Sequence, residues 1–169
     1  MVSKLRRWLR EGIILLVLLA GGTLLLDAWR APQAPPSFDS MPLRTLDGES
    51  VTLAALSEEQ PLLVYFWASW CGVCRFTTPY VARLQAEGKN VLTVALRSGD
   101  DPLVARWLAR KGVSFPVVND ANGTLSTRWA VSVTPTLVVL SKGQVVSTTS
   151  GWTSYWGMKL RLWWAGMDS

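Results

Sequence analysis

Apolar side chains come in dense blocks separated by polar turns, and the spacing within each block predicts its element. Leu62, Leu63, Val64, Tyr65, Phe66 and Trp67 form an unbroken apolar run that reads as a buried strand. A helix over about 73–87 follows. Residues 91–96 are apolar and β-branched enough for the next strand. Asp101-Pro102 opens a helix through about Arg110, with Pro102 at a first-turn position. A short strand over 115–118 and a short helix over 122–129 come next. Strands over 136–140 and 145–149 join at Ser141-Lys142-Gly143-Gln144, a hairpin turn. An earlier hairpin is signalled by Asp47-Gly48 between strands over 43–46 and 50–53. The last element is a helix over about 154–165. Its Trp156, Leu160, Trp163 and Trp164 recur at helical spacing and are expected to pack onto the sheet. Strands alternating with helices, with hairpins at both ends, predict an α/β sandwich around a mixed sheet.

One block stands apart. Gly12 to Leu26 is uncharged throughout, with Lys4, Arg6, Arg7 and Arg10 before it and Asp27 after it. It is shorter than the ~20 residues that a spanning helix usually needs, and it resembles a signal-peptide core. Trp8 and Trp29 bracket it as interfacial anchors would, about 30 Å apart at helical rise. The favoured reading is an uncleaved signal anchor, one transmembrane helix crossing the bacterial inner membrane in a single pass. Cleavage near Ala20-Gly21-Gly22 stays open as the alternative, although Leu24, Leu25 and Leu26 would then remain as an apolar stub. The basic residues precede the apolar block, whereas Asp27 and Arg30 nearly cancel after it. The positive-inside rule places the N-terminus in the cytoplasm and the remainder outside, in a bacterium the periplasm, where disulfides form and persist.

Ala31-Pro32-Gln33-Ala34-Pro35-Pro36 reads as a semi-rigid linker. The expected organisation is therefore a cytoplasmic tip and anchor over 1–30, a linker over 31–37 and one domain over 38–169. Charge follows the same partition. Of the net +5, residues 1–36 carry +3 and the remaining 133 residues only +2. With no basic stripe left in the domain, a nucleic-acid partner is not expected. Of the ten tryptophans, two are expected at a membrane interface and most others in the core. Trp70 is the exception, a loop aromatic placed to touch a partner.

The candidate chemistry lies at the end of the 62–67 strand. Cys71 and Cys74 are the only cysteines, at C-x-x-C spacing, where the strand hands over to the helix. Structural zinc needs four ligands, and the chain has two cysteines and no histidine. A c-type haem attachment needs a histidine where Arg75 stands. A purely structural bridge closing so short a loop gains only about 2 kcal/mol. Redox chemistry is the favoured reading, and a Cu(I) site on two thiolates stays open. Cys71 is expected at or just before the first helical turn, where unpaired N–H groups and the helix dipole stabilise a thiolate. Cys74, one turn in, would be shielded and would resolve a mixed disulfide. Pro135, directly before the β-rich run, is either an ordinary strand-start residue or a cis proline facing the thiols. In the second case the backbone of Val133 and Thr134 would pair with an extended substrate segment.

The run from Tyr65 through Trp70-Cys71-Gly72-Val73-Cys74-Arg75, with Thr134-Pro135-Thr136 downstream, resembles the thioredoxin superfamily. The early hairpin and the extra strand–helix unit look like its membrane-anchored TlpA-like branch. Residues 71–79 together with Gly151-Trp152 through Trp163 are similar to the suppressor-for-copper-sensitivity D (ScsD) protein disulfide oxidoreductases. The resemblance spans about residues 38–165. It implies a thioredoxin-like three-layer sandwich with a mixed central sheet, an N-terminal hairpin and a TlpA-type strand–helix insertion. It also implies a membrane-tethered periplasmic thiol–disulfide oxidoreductase acting on protein substrates, an upstream membrane or periplasmic redox partner, and a link to copper tolerance. On the family pattern Cys71 attacks, Cys74 resolves and Pro135 is the cis proline. Trp70 and the Val133–Pro135 turn, with Thr134, are expected from their own positions to hold the substrate chain.

The cysteine pair is itself the redox group, so no cofactor and no metal is expected. Two departures stand out. Tyr65 occupies the place of a buried Asp six residues before the first cysteine. Thr77 occupies the place of a Glu three residues after the second. Both acids are usually assigned to proton transfer with the buried thiol, so water is the expected route here. A disulfide donor working in the opposite direction and a Cu(I)-binding module without turnover remain the rival readings.

Overall fold

The computed structural model describes residues 2–167; Met1, Asp168 and Ser169, at the ends of the expected segments, lie outside the described residues. The chain forms two compact units, one through Ala31 and one from Pro32 onward.

The first unit is a single helix, α1, Val2–Arg30. Arg7 and Glu11 pair across one turn at 2.9 Å. The side chain of Trp29, expected as an interfacial anchor, lies outside the described residues. The expectation of a transmembrane helix is corrected: among the described residues, no helix is long and apolar enough to cross a membrane. The physical reason is length. The uncharged part of α1 lies between Glu11 and Asp27 and rises only about 22 Å, against ~30 Å of hydrocarbon.

In the second unit, β1 (Leu43–Arg44) and β2 (Ser50–Val51) form a two-stranded hairpin. Its turn closes through the Gly48 N–H donating to the Thr45 carbonyl at 3.0 Å, with Gly48 at φ 90°. The expected strand through Leu53 is cut short. Thr52 caps a helix instead, its Oγ1 accepting from the Ala55 N–H at 3.2 Å, and α2 spans Leu53–Ser57.

The remaining elements alternate as β3 (Leu62–Trp67), α3 (Cys74–Ala86), β4 (Asn90–Leu96), α4 (Asp101–Lys111), β5 (Val117–Asp120), α5 (Thr124–Arg128), β6 (Thr136–Ser141), β7 (Gln144–Ser150) and α6 (Tyr155–Met167). Five of the strands form one sheet in the order β5-β4-β3-β6-β7. β3, β4 and β5 run parallel, while β6 runs antiparallel to both β3 and β7. The mixed thioredoxin-like α/β sheet is thus present. Every residue of β3 is buried. Its alternation splits the core: Leu63, Tyr65 and Trp67 join residues of α3 and α6 on one face, and Leu62, Val64 and Phe66 pack around Trp129 on the other.

The closing helix turns out the opposite face from the one expected. Tyr155, Met158, Leu162 and Ala165 are buried, whereas Trp156, Leu160, Trp163 and Trp164 are each 58–71% exposed. Apolar residues lie all round α6, so helical spacing alone admits two inward stripes. Tyr155 decides between them. Its hydroxyl donates to both carboxylate oxygens of Glu87, just beyond α3, at 2.6 and 2.7 Å, and the Arg83 guanidinium lies 4.3 Å over its ring. The core expectation for tryptophan holds for Trp67 and Trp129, with Trp107 half-buried and stacked on Trp67 at 4.5 Å. It fails for Trp152, Trp156, Trp163 and Trp164, which lie on the surface.

Glu87 ties α6 to α3. The Tyr155 hydroxyl, and then Arg83 and Lys159 at 2.9 and 3.3 Å, hold its carboxyl down at about 2, from an ordinary 4.5. A carboxyl depressed on folding stabilises fully above its ordinary pKa, and that contribution fades as pH falls toward the depressed value. Thermal melts of the parent protein are therefore expected to lose stability between pH 4.5 and 2. The Glu87→Gln variant should melt lower at neutral pH and show a shallower loss across that window.

Candidate functional site

β3 ends at Trp67, and the chain turns so that the Cys71 N–H donates to the Ala68 carbonyl at 3.1 Å. Two further bonds fix this turn against the chain after β4. The Ser69 N–H donates to Ser98 Oγ at 2.8 Å, and the Trp70 indole N–H donates to the Arg97 carbonyl at 3.1 Å. The second bond holds the Trp70 ring outward, 63% exposed beside Cys71.

Cys71 and Cys74 form a disulfide with their Cα atoms 5.3 Å apart. The two sulfurs sit in different surroundings: Cys71 is half-buried, and Cys74 is 1% exposed. The helix begins one residue later than expected, with Val73 as its N-cap and Cys74 as its first residue. Cys71 therefore precedes the helix, yet the Cys74 N–H donates to its Sγ at 3.1 Å. The N-cap residue, Val73, supplies no side-chain cap of its own. The first-turn N–H groups and dipole are thus directed toward Cys71 and favour a thiolate there once the pair is reduced.

The Thr134–Pro135 peptide bond is cis. The antiparallel register of Phe66 with Thr136 carries this turn to the end of β3 that bears the cysteines. The Thr134 carbonyl oxygen lies 3.4 Å from Cys71 Sγ. Pro135 is buried, and its carbonyl accepts the Gly151 N–H at 2.7 Å. Val133 and Thr134 are half-buried, and the Val133 carbonyl already accepts the Thr136 hydroxyl at 2.8 Å. Cys71, Cys74, Trp70, Thr134 and Pro135 are thus brought together at one end of the sheet, with Val133 next in line.

Beneath the disulfide the expected acids are replaced by hydroxyls. Tyr65 is fully buried, and its hydroxyl shares a 3.0 Å hydrogen bond with Thr78 Oγ1. Burial pushes the Tyr65 hydroxyl well above the usual phenol range, with the Thr78 bond pulling the other way. Thr77 is also fully buried, and its Oγ1 has no hydrogen-bond partner. Neither residue ionises in the range where thiols exchange. Among the described residues, no group of three or more His, Cys, Asp or Glu side chains converges on a metal position.

Sequence reasoning missed three exposed apolar side chains near the pair. Val73 and Phe76 are 43% and 55% exposed on the turn and first helical turn, with the Arg75 guanidinium 4.7 Å over the Phe76 ring. Trp152, 60% exposed, follows Gly151, the residue bonded to Pro135. The available signal was an aromatic placed directly after a glycine at a strand end, where φ is 88°.

Comparison with known proteins gives the same class. The Redoxin family model matches residues 19–153. A thioredoxin-like protein of Haemophilus influenzae is 41% identical over 162 residues, covering 96% of this chain and 97% of the relative. The thiol-disulfide oxidoreductase ResA of Bacillus subtilis is 29% identical, covering 89% of this chain and 88% of the relative. DsbF of Mycobacterium tuberculosis, solved in mixed oxidised and reduced forms, superposes with a TM-score of 0.67 at 22% identity. It covers 78% of this chain and 98% of that one, and at such identity it bears on the fold alone. The chain belongs to the Redoxin family, a thioredoxin-like thiol–disulfide oxidoreductase carrying the C-x-x-C pair Cys71 and Cys74.

Proposed function

We propose that this enzyme exchanges disulfides with protein substrates in the bacterial periplasm, through attack by Cys71 and resolution by Cys74. The observation that carries the reading is the asymmetry of the pair. A half-buried Cys71 Sγ receives the Cys74 N–H at the start of α3, while Cys74 is enclosed in the core. In the reduced enzyme the Cys71 thiolate attacks one sulfur of a substrate disulfide. That S–S bond breaks, a mixed disulfide forms, and the departing substrate thiolate takes a proton from water. Cys74, as thiolate, then attacks Cys71 Sγ and releases the second substrate thiol. Two electrons pass to the substrate, and the enzyme is left as the Cys71–Cys74 disulfide. An upstream dithiol protein, periplasmic or in the membrane, returns it to the reduced form. Trp70 and the Val133–Pro135 turn hold the substrate chain beside Cys71.

Tyr65 keeps its proton and Thr77 is no acid, so water that enters as substrate docks takes the Cys74 proton. Tyr65 is then a packing residue. The Tyr65→Phe variant should lose about 1 kcal/mol of stability through the stranded Thr78 hydroxyl, read as a lowered melting temperature. Its pH profile of exchange should match that of the parent.

The periplasmic location is supported by Lys4, Arg6, Arg7 and Arg10 ahead of a 15-residue uncharged block, the proportions of an export signal. A disulfide pair also persists there. A link to copper tolerance is supported by the likeness of residues 71–79 and 151–163 to the suppressor-for-copper-sensitivity D proteins. A strain lacking the chain should grow less well in copper than its parent, and the Cys71→Ser form should fail to restore growth.

The Cys71→Ser variant is expected to abolish reduction of insulin disulfides, whereas the Cys74→Ser variant should accumulate a mixed disulfide with its substrate, visible on non-reducing gels. Full activity of Cys71→Ser would overturn the mechanism.

A further inference from the structure

The floor of the site holds a polar group with no task in the oxidised enzyme. Thr77 is 0% exposed, and its Oγ1 meets no hydrogen-bond partner among the described residues. A helical threonine commonly turns its hydroxyl back onto a carbonyl of the preceding turn. Thr77 makes no such bond, while its neighbour Thr78 shares one with Tyr65 at 3.0 Å. A buried hydroxyl left this way destabilises the state that contains it. That state is the one with the Cys71–Cys74 disulfide closed.

Position narrows what the hydroxyl can serve. Cys74, Thr77, Thr78, Val81 and Leu84 form the buried face of α3. Thr77 stands three residues after Cys74, and a helical side chain leans over the turn before it, here the turn that opens with Cys74. In the disulfide, Cys74 Sγ is bonded to sulfur and is a weak acceptor. When the pair opens, that sulfur becomes a thiol or a thiolate, and the thiolate is a strong acceptor of hydrogen bonds. It is also enclosed, since Cys74 is 1% exposed. Without a donor, burial would hold Cys74 as the thiol and slow its attack. The neighbouring donors are committed. Tyr65 and Thr78 hold each other. Trp67 Nε1 also has no partner among the described residues, but its ring is stacked on Trp107 of α4 at 4.5 Å and set edge-on to Phe115 at 6.2 Å.

We propose that Thr77 is the hydrogen-bond donor to Cys74 Sγ in the reduced enzyme, a bond that the closed disulfide excludes. This rests on the exchange reading, in which Cys74 attacks as a thiolate to resolve the mixed disulfide. No proton changes hands: the hydroxyl keeps its hydrogen, and water still takes the Cys74 proton. Because the bond exists only in the reduced form, it favours that form. The pair is therefore a stronger oxidant than the same pair without the hydroxyl.

Equilibration of the full chain with graded reduced and oxidised dithiothreitol tests the proposal. The reductant passes two electrons and two protons to the pair as its own two thiols close into a ring disulfide. The Thr77→Val variant keeps the shape and loses the hydroxyl. Its equilibrium should shift toward the enzyme disulfide by about fivefold, the worth of one ordinary hydrogen bond, or ~20 mV lower in potential. Thermal melts should move in opposite directions, the oxidised variant melting above the parent and the reduced variant below it. The Thr77→Ser variant should return the equilibrium to the parent's. A merely structural Thr77 would move both oxidation states alike and leave the equilibrium unchanged. That result would overturn the proposal and leave the exchange reading intact, as would a Thr77→Ser equilibrium equal to that of Thr77→Val. A parent pair that dithiothreitol cannot open would overturn both.

Discussion

The pairing of β3 with β6 is the contact on which the thiol site depends. β3 is bonded on both edges and buried along its whole length, so it cannot slide without exposing one of its two apolar faces. Its antiparallel register with β6 sets Phe66 opposite Thr136. One residue beyond that pair on β6 lies Pro135, and a short turn beyond Trp67 on β3 lies Cys71. Two loops far apart in sequence are thereby delivered to the same end of the sheet, and the 3.4 Å approach of the Thr134 carbonyl to Cys71 follows. A one-residue slip would separate them and invert every side chain of β3.

What was legible in the sequence follows from how local each signal is. β3 announces itself through six consecutive apolar residues. α4 announces itself through Asp101-Pro102, while its cap, Asp100, whose carboxylate accepts the Leu103 N–H at 2.9 Å, is seen only in the structure. The cysteines and Pro135 are likewise readable because type and spacing carry their chemistry. α2 escaped because Thr52 and Leu53 suit a strand as well as a cap, and the choice rests on the Ala55 N–H. The orientation of α6 escaped because the helix is apolar all round, and a partner 68 residues away, Glu87, chooses its inner face. Trp152 was invisible as a site neighbour for the same reason, since only the Gly151–Pro135 bond brings it there. The transmembrane reading failed on length: basic flanks and apolar character were both present, but the charges at Glu11 and Asp27 stand too close together.

The floor of the site shows how far thiol chemistry can be separated from a buried acid. Tyr65 and Thr78 satisfy each other, and Thr77 fills its space without a charge. An uncompensated carboxylate in that position would carry a desolvation penalty of several kcal/mol, which a paired phenol and hydroxyl avoid. Cys71 is left to the helix terminus for its activation. That contribution comes from fixed backbone dipoles and so does not titrate.

The unequal burial of the two sulfurs also governs what happens when the wrong oxidant arrives. A peroxide reaching the reduced pair meets Cys71 and not the enclosed Cys74. Cys71 then becomes a sulfenic acid, one step up the ladder that ends in irreversible damage. Cys74 stands three residues away, already within bridging geometry at a Cα separation of 5.3 Å. Its thiol condenses with the sulfenic acid, expelling water and forming the Cys71–Cys74 disulfide. The inner cysteine therefore also protects the outer one from overoxidation, and an oxidative insult leaves the pair as the same Cys71–Cys74 disulfide rather than as a damaged thiol.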